Sequence, residues 1–229
     1  MEMYQEILTL AVALSVEDKE NNIMYNKLTD KQYNITIGII LLWGFLVNTI
    51  MCVFFQDTFC NLNPTMVLIG YFVVALAGIG MNEFSDNPIV SFIGYNLVVL
   101  PVGVVLSICL KDYYMSSIVQ AFILTTLITI VLIIVSSIKP EIFLSMGKTL
   151  FICLSAVIVI EFIMILFGNV PKWWDWIVAL LFCGYIGYDW AEAQNNAKTL
   201  DNAIDSAVAL YLDIINLFLR LLGSSKDDD

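Results

Sequence analysis

Two aspartates stand where lipid should surround them. Asp189 closes the apolar run WWDWIVALLFCGYIGYD, and Asp213 sits in the middle of AIDSAVALYLDIINLFLRLL. A carboxylate inside a bilayer is expensive, so it faces a bundle interior or a wet cavity and marks a functional site by default. The polar stretch between them, AEAQNNAKTLDN, centres near Asp201, twelve residues from each aspartate. In an antiparallel helical hairpin, residues equidistant from the turn lie at the same depth. With axes about 8–10 Å apart, the two carboxyls can meet or share a water or a cation. Two carboxylates that close cannot both ionise cheaply, so the pair is expected to hold one proton between them and titrate as a unit. A plainer alternative puts Asp189 at the membrane edge, solvating the loop. Asp213 is too deep for that.

Around Asp213 the polarity continues along one helical face: Ser206, Ala209, Asp213, Asn216 and Arg220 recur at three- and four-residue spacing. A helix with a polar stripe along its whole length cannot turn that side to lipid. The last helix is therefore expected at the centre, enclosed by the others.

The rest of the chain must position this hairpin. Of 229 residues, 60% are hydrophobic, and the mean hydropathy of +0.86 is that of an integral membrane protein. The net charge is −11, from 21 acids and 10 bases, with Arg220 the one arginine. No basic patch exists to neutralise phosphates, which excludes nucleic acid as a partner and argues against polybasic docking on anionic lipid. The partners implied are the lipid bilayer, protons and cations. Histidine is absent, so imidazole metal sites and the usual histidine pH switch are excluded, and any response near neutral pH falls to carboxylates or, less readily, a cysteine. The five cysteines, at 52, 60, 109, 153 and 183, form no CxxC and read as small buried apolar residues.

Apolar runs of membrane-crossing length fall at about 35–55, 64–81, 88–110, 116–137, 145–167, 174–190 and 204–222. The fold class expected is thus all-α, with seven transmembrane helices over 35–222. A tail covers 1–34, where Ile7, Leu10, Ala11 and Leu14 suggest a short amphipathic surface helix, and an acidic tail covers 223–229. Glu2 and Glu6 stand where a signal peptide would be positive. Gly70, Ala75, Ala77, Gly78 and Gly80 in the second run would let a neighbouring helix approach closely. Pro101, inside the third, implies a static kink or a gating hinge. The threonines of the fourth can bond back to their own helix. Glu161, in AVIVIEFIMIL, is a third intramembrane acid, either contributing to a permeation path, pairing with a lysine, or wet at its helix end. Trp173, Trp174 and Trp176 of KWWDW read as an interfacial anchor. Lysines and Arg220 divide almost evenly between the two faces, so charge alone does not orient the chain.

The string GYIGYD at 184–189, followed by ALYLDIINLFLRLLG at 209–223, resembles the C-terminal signature of the Bax inhibitor family, the transmembrane Bax-inhibitor-motif proteins, and most of all its small bacterial members. Both aspartates, the LYLD-x-INLF block and their separation match over about 40 residues, and the preceding chain fits the family plan by length and hydropathy. The resemblance implies a pH-sensitive calcium-permeable leak channel in which Asp189 and Asp213 are sensor, gate and transient calcium contact. Calcium is then a permeant ion and no cofactor is needed. It also implies a cytoplasmic N-terminus and a bacterial plasma membrane. Asn216, Glu161, Arg220 and Lys198 are candidates for the surrounding pore or network. One departure stands out: bacterial relatives carry a basic latch near the end of the second helix, whereas GMNEFSDNP here offers Asn82, Glu83 and Asp86 and no base. Closure must then rest on a proton shared between the aspartates, or on Lys198 or another donor.

Two other classes compete. An intramembrane aspartyl protease also places two aspartates on consecutive helices, one of them in a YD pair like Tyr188–Asp189, and a proton-sharing pair can activate water. Its second aspartate, however, belongs in GxGD, and here it lies in LYLD, with no PAL-like element near the C-terminus. A non-conducting scaffold that regulates stress or cell-death signalling is the other. A retinal protein is excluded, since the seventh run lacks a Schiff-base lysine.

Overall fold

The computed structural model describes Gln5 and residues 27–225 apart from 169. The helix expected around Ile7–Leu14 and the last four residues of the acidic tail lie outside them. Nine helices follow one another among the described residues: α1 (Asp30–Phe54), α2 (Gln56–Cys60), α3 (Pro64–Glu83), α4 (Pro88–Leu110), α5 (Met115–Ile138), α6 (Pro140–Leu144), α7 (Gly147–Leu166), α8 (Trp173–Asn195) and α9 (Leu200–Ser224). The protein is an all-helical, multi-pass membrane protein. Six helices, α1, α3, α4, α5, α7 and α9, are long and apolar enough to cross a bilayer. α8 has 23 residues, but its tyrosines, Asp189 and Glu192 dilute the apolar ones.

Local signals set the ends. Thr29 caps α1 in a reciprocal box with Gln32, and Asn63 and Asn87 each accept from backbone N–H groups ahead of a first-turn proline in α3 and α4. These side chains satisfy donors that a helix start otherwise leaves bare. The link QDTFCNLN contains the short helix α2, and α6 begins within SIKPE and runs on to Leu144; sequence alone did not separate either from loop. α4 runs unbroken through Pro101.

The bundle has one centre. In α9, 61% of the most apolar stretch is buried, against 50% in α4 and 11% in both α5 and α7. α9 packs on α8, α1, α5 and α4 and only touches α3. Enclosure is uneven, because α3 leans chiefly on α4. Gly78 and Gly94 make that possible: a Cβ on Gly78 would lie 2.5 Å from the Gly94 carbonyl oxygen, and one on Gly94 would lie 2.6 Å from the Gly78 oxygen. Only glycines let the two backbones touch there. The core is knitted by tyrosines, none exposed: Tyr95 donates to the Ile40 carbonyl at 2.8 Å, and Tyr211 accepts from the Asn48 amide. Outward faces are apolar, with Leu42, Phe72, Phe162 and Leu180 all exposed, as a lipid solvent requires.

Three sequence expectations need correction. The cysteines are not buried: four are half-buried and Cys153 is exposed, consistent with a lipid-facing position on α7. Of the tryptophans, 173 and 176 face outward, but Trp174 is 6% exposed and belongs to the core, so the anchor has two members. Thr125 and Thr126 do bond back to Ala121 and Phe122, yet Thr129 Oγ1 is buried without a partner among the described residues.

Candidate functional site

The two aspartates meet. Asp189 and Asp213 lie within hydrogen-bonding reach of each other, carboxyl to carboxyl. Asp213 is 6% exposed, and its Oδ2 finds no N–H or O–H donor among the described residues. A buried carboxyl in that state costs a full desolvation penalty unless a proton joins it to its neighbour.

Their meeting does not follow from equal distance to the turn. Asp189 stands six residues before the end of α8, and Asp213 thirteen after the start of α9. The turn is Asn196–Thr199, not a loop centred on Asp201. At about 1.5 Å per residue the mismatch is roughly 10 Å. Asn196 and Thr199, both extended, bound a four-residue connection that can span about 13 Å. α9 therefore begins well beyond the end of α8, and its first turns project past it. Leu28 N–H donates to the Lys198 carbonyl at 2.7 Å, tying this connection to the entry of α1.

Helix rotation is fixed on both sides. Ser136 Oγ of α5 donates to the Gly187 carbonyl at 2.6 Å, and Trp190 Nε1 donates to Ser137 Oγ at 2.8 Å. These bonds bracket Asp189 and aim it at α9. On α9, fully buried Leu210, Tyr211 and Leu217 turn Asp213 inward. Near the start of α9, Ser206 Oγ donates to the Asn202 carbonyl at 2.7 Å, and the buried Tyr33 hydroxyl lies 2.9 Å from it.

Asp189 also borders a cavity of about 430 Å³ between the end of α3, the end of α8 and the start of α9. Its acids are Glu83, Asp86, Asp189, Glu192, Asp201 and Asp205, and among the described residues no lysine or arginine lines it. Asp201 is 7% exposed and its Oδ1 accepts from Ser91 Oγ at 2.7 Å. Asp201 and Asp205 were missed as site residues. Asp201 fell in the stretch expected as turn, whereas Asp205 lay inside the expected seventh run and its carboxylate was passed over. Asn82, at the place where a basic latch was sought, lies in this lining.

The remaining candidates are elsewhere. Lys198 donates to the Ala193 and Gln194 carbonyls at 2.9 and 2.7 Å, and its ammonium sits 4.5 Å above the Tyr33 ring. It closes the end of α8 and reaches neither aspartate. Burial lowers the pKa of this ammonium, with Asp30 pulling the other way. Asn216 donates to the Leu212 carbonyl of its own helix. Arg220 bridges Glu161 at 2.7 Å and Asp175 at 3.0 Å, so Glu161 pairs with an arginine and not with a lysine. Asp175, hidden inside KWWDW, is the member of this triad that sequence reasoning passed over. Among the described residues no three acids or cysteines converge as metal ligands, so a cation at the pair would draw its other ligands from waters and neutral oxygens.

A helical bundle around one polar helix, with two carboxyls buried against each other beside an acidic cavity, defines a multi-pass membrane protein with its polar groups turned inward. Residues 25–224 match the family described as Inhibitor of apoptosis-promoting Bax1, and the chain belongs to that family. It is 33% identical over 157 residues to an uncharacterized protein of Helicobacter pylori, covering 66% of this chain and 64% of that protein. Protein LIFEGUARD 3 of Arabidopsis thaliana is 45% identical over 80 residues, 34% of this chain and 32% of the relative. An uncharacterized protein of Campylobacter jejuni is 37% identical over 109 residues, 46% of each. These matches span less than two thirds of the relatives' own length.

Proposed function

We propose that this protein is a pH-sensitive, calcium-permeable leak channel with seven membrane crossings, α8 among them, gated by Asp189 and Asp213 and residing in a bacterial plasma membrane. The observation that carries the reading is Asp213, buried and, among the described residues, lacking any N–H or O–H donor for Oδ2, with the Asp189 carboxyl against it. One shared proton holds α8 to α9. Its loss leaves two like charges in contact, and a second proton removes the bridge, so in both directions populations shift away from the closed bundle. The cavity acids bordering Asp189 supply hard oxygens and a negative field, which suit calcium.

The test is calcium influx into dye-loaded liposomes, from mildly acidic to mildly alkaline pH, with purified protein, Asp189→Asn, Asp213→Asn and Glu161→Gln in parallel. A pH-dependent leak lost in both aspartate variants and kept in Glu161→Gln is the expected outcome. Flux equal to that of empty liposomes at every pH would sink the channel and leave a non-conducting scaffold.

A further inference from the structure

We infer that Asn48 is a positioning residue for the aspartate pair: through the Tyr211 hydroxyl it sets the rotation of α9 that brings Asp213 to Asp189. The inference deepens the reading of that pair as a proton-sharing gate, and it rests on the pairing and not on conduction.

Tyr211 and Asp213 stand two residues apart on α9. At 3.6 residues per turn their side chains leave the helix about 200° apart, on nearly opposite sides. Tyr211 reaches α1, where its hydroxyl accepts from Asn48 Nδ2. Asp213 reaches α8 and Asp189. A helix held on one side has its opposite side aimed, so the tie to α1 points Asp213 at α8.

The hold is directional. Tyr211 is fully buried and Asn48 is 4% exposed, so water does not compete for the bond. The Tyr211 ring is packed as well, with Phe45 tilted against it and Tyr95 edge-on, both centroids 5.6 Å away. Gly44, one turn before Asn48, permits this approach, since a Cβ there would stand 3.1 Å from the Tyr211 ring. The buried face of α1 is Tyr33, Ile37, Ile40, Gly44, Asn48 and Met51, and Asn48 is the one amide on it. Burying an amide costs free energy. Leucine would fill a similar volume without that cost, and what the amide adds is direction.

Tyr95 supplies the contrast. Its hydroxyl donates to the Ile40 carbonyl at 2.8 Å and ties α4 to the same face of α1, but neither helix carries an aspartate of the pair. The titratable groups around the Tyr211 hydroxyl are Tyr95 from α4, Tyr71 from α3 and Cys52 from α1. Around the pair they are Tyr185 and Glu192 from α8, and α5 has no titratable side chain. All are retained in variants at positions 48 and 211.

The experiment is an infrared pH titration of full-length protein in lipid nanodiscs, following the protonated-carboxyl band that Asp213→Asn removes. Asn48→Leu and Tyr211→Phe are each expected to displace its pH midpoint by about half a unit, and the double variant no further than either. The double variant leaves neither partner orphaned, so its melting temperature should return towards wild type while its midpoint stays displaced. Tyr95→Phe is expected to lower the melting temperature and leave the midpoint alone. Wild-type midpoints in both single variants would overturn the inference. So would a midpoint that recovers with stability in the double variant, or one displaced as far by Tyr95→Phe. Flux is not read here: a wild type that fails to leak calcium into liposomes would sink the channel and leave these midpoints to decide the positioning role.

Discussion

The α8–α9 hairpin carries carboxylates at both ends and treats them in opposite ways. At one end Arg220 spans Glu161 and Asp175, tying three helices with a triad of one cation and two acids whose side chains keep 21–23% of their surface. At the other, Glu83, Asp189, Glu192, Asp201 and Asp205 stand around a cavity with no base in its lining among the described residues, and Asp213 lies behind Asp189 away from the one guanidinium of the chain. The chain has a single arginine, and it is spent on structure. A carboxylate paired with arginine is locked, since that cation does not titrate. Carboxylates left without one must be balanced by protons or mobile cations, and both vary with conditions. One end is a clasp, and the other is the responsive site of the proposed channel.

The largest break in this contrast is expected from Asp213→Asn. An amide cannot share the proton, so the pH dependence of calcium flux should vanish, leaving a trace flat across the range in the liposome assay. Next comes Arg220→Met. It strands two acids on α7 and α8, and removing one partner of a buried pair costs about 3–5 kcal/mol. Residual exposure lowers that here to roughly 2–3 kcal/mol, read as a fall in melting temperature in nanodiscs. Asn82→Arg would make the open end resemble the clasp, bringing a guanidinium to Asp205 and Asp201. A partly buried pair worth about 1.4 kcal/mol is a tenfold effect, and flux near neutral pH should drop by about that factor. An unchanged leak would mean that the cavity lies off the permeation path.

How much of this was legible depended on which residues the local pattern controls. The aspartate pair was visible because lipid makes any intramembrane carboxylate conspicuous, and the polar stripe from Ser206 to Arg220 foretold that α9 would be central. The geometry behind the pair was not visible. Thr199 caps α9 earlier than the hydropathy suggested, because Asp201 and Asn202 look like loop in composition while folding as helix. The acidic cavity was lost with that boundary, since its wall is those same turns. Trp174 and Trp176 are two residues apart in one aromatic cluster, yet one is in the core and one in lipid; the phase of α8 decides that, and bulk and polarity do not. Arg220 and Glu161 are 59 residues apart, a separation at which only the packing of α7 beside the hairpin could reveal the bridge.

The smallest effect separates the two ends most sharply. Glu161→Gln keeps the side chain's shape and an oxygen that can still accept from Arg220 Nη2, while Asp175 continues to hold Nη1 at 3.0 Å. The loss is confined to the charge of one hydrogen bond, about 1 kcal/mol at a site open to partial screening. Melting temperature should fall by a few degrees at most, less than for Arg220→Met. If the two ends are independent devices, the pH profile of calcium flux should superimpose on that of wild type, because Glu161 touches neither aspartate nor the cavity. A profile displaced along the pH axis would show that charge at the clasp is felt at the pair, and the hairpin would have to be treated as one electrostatic unit.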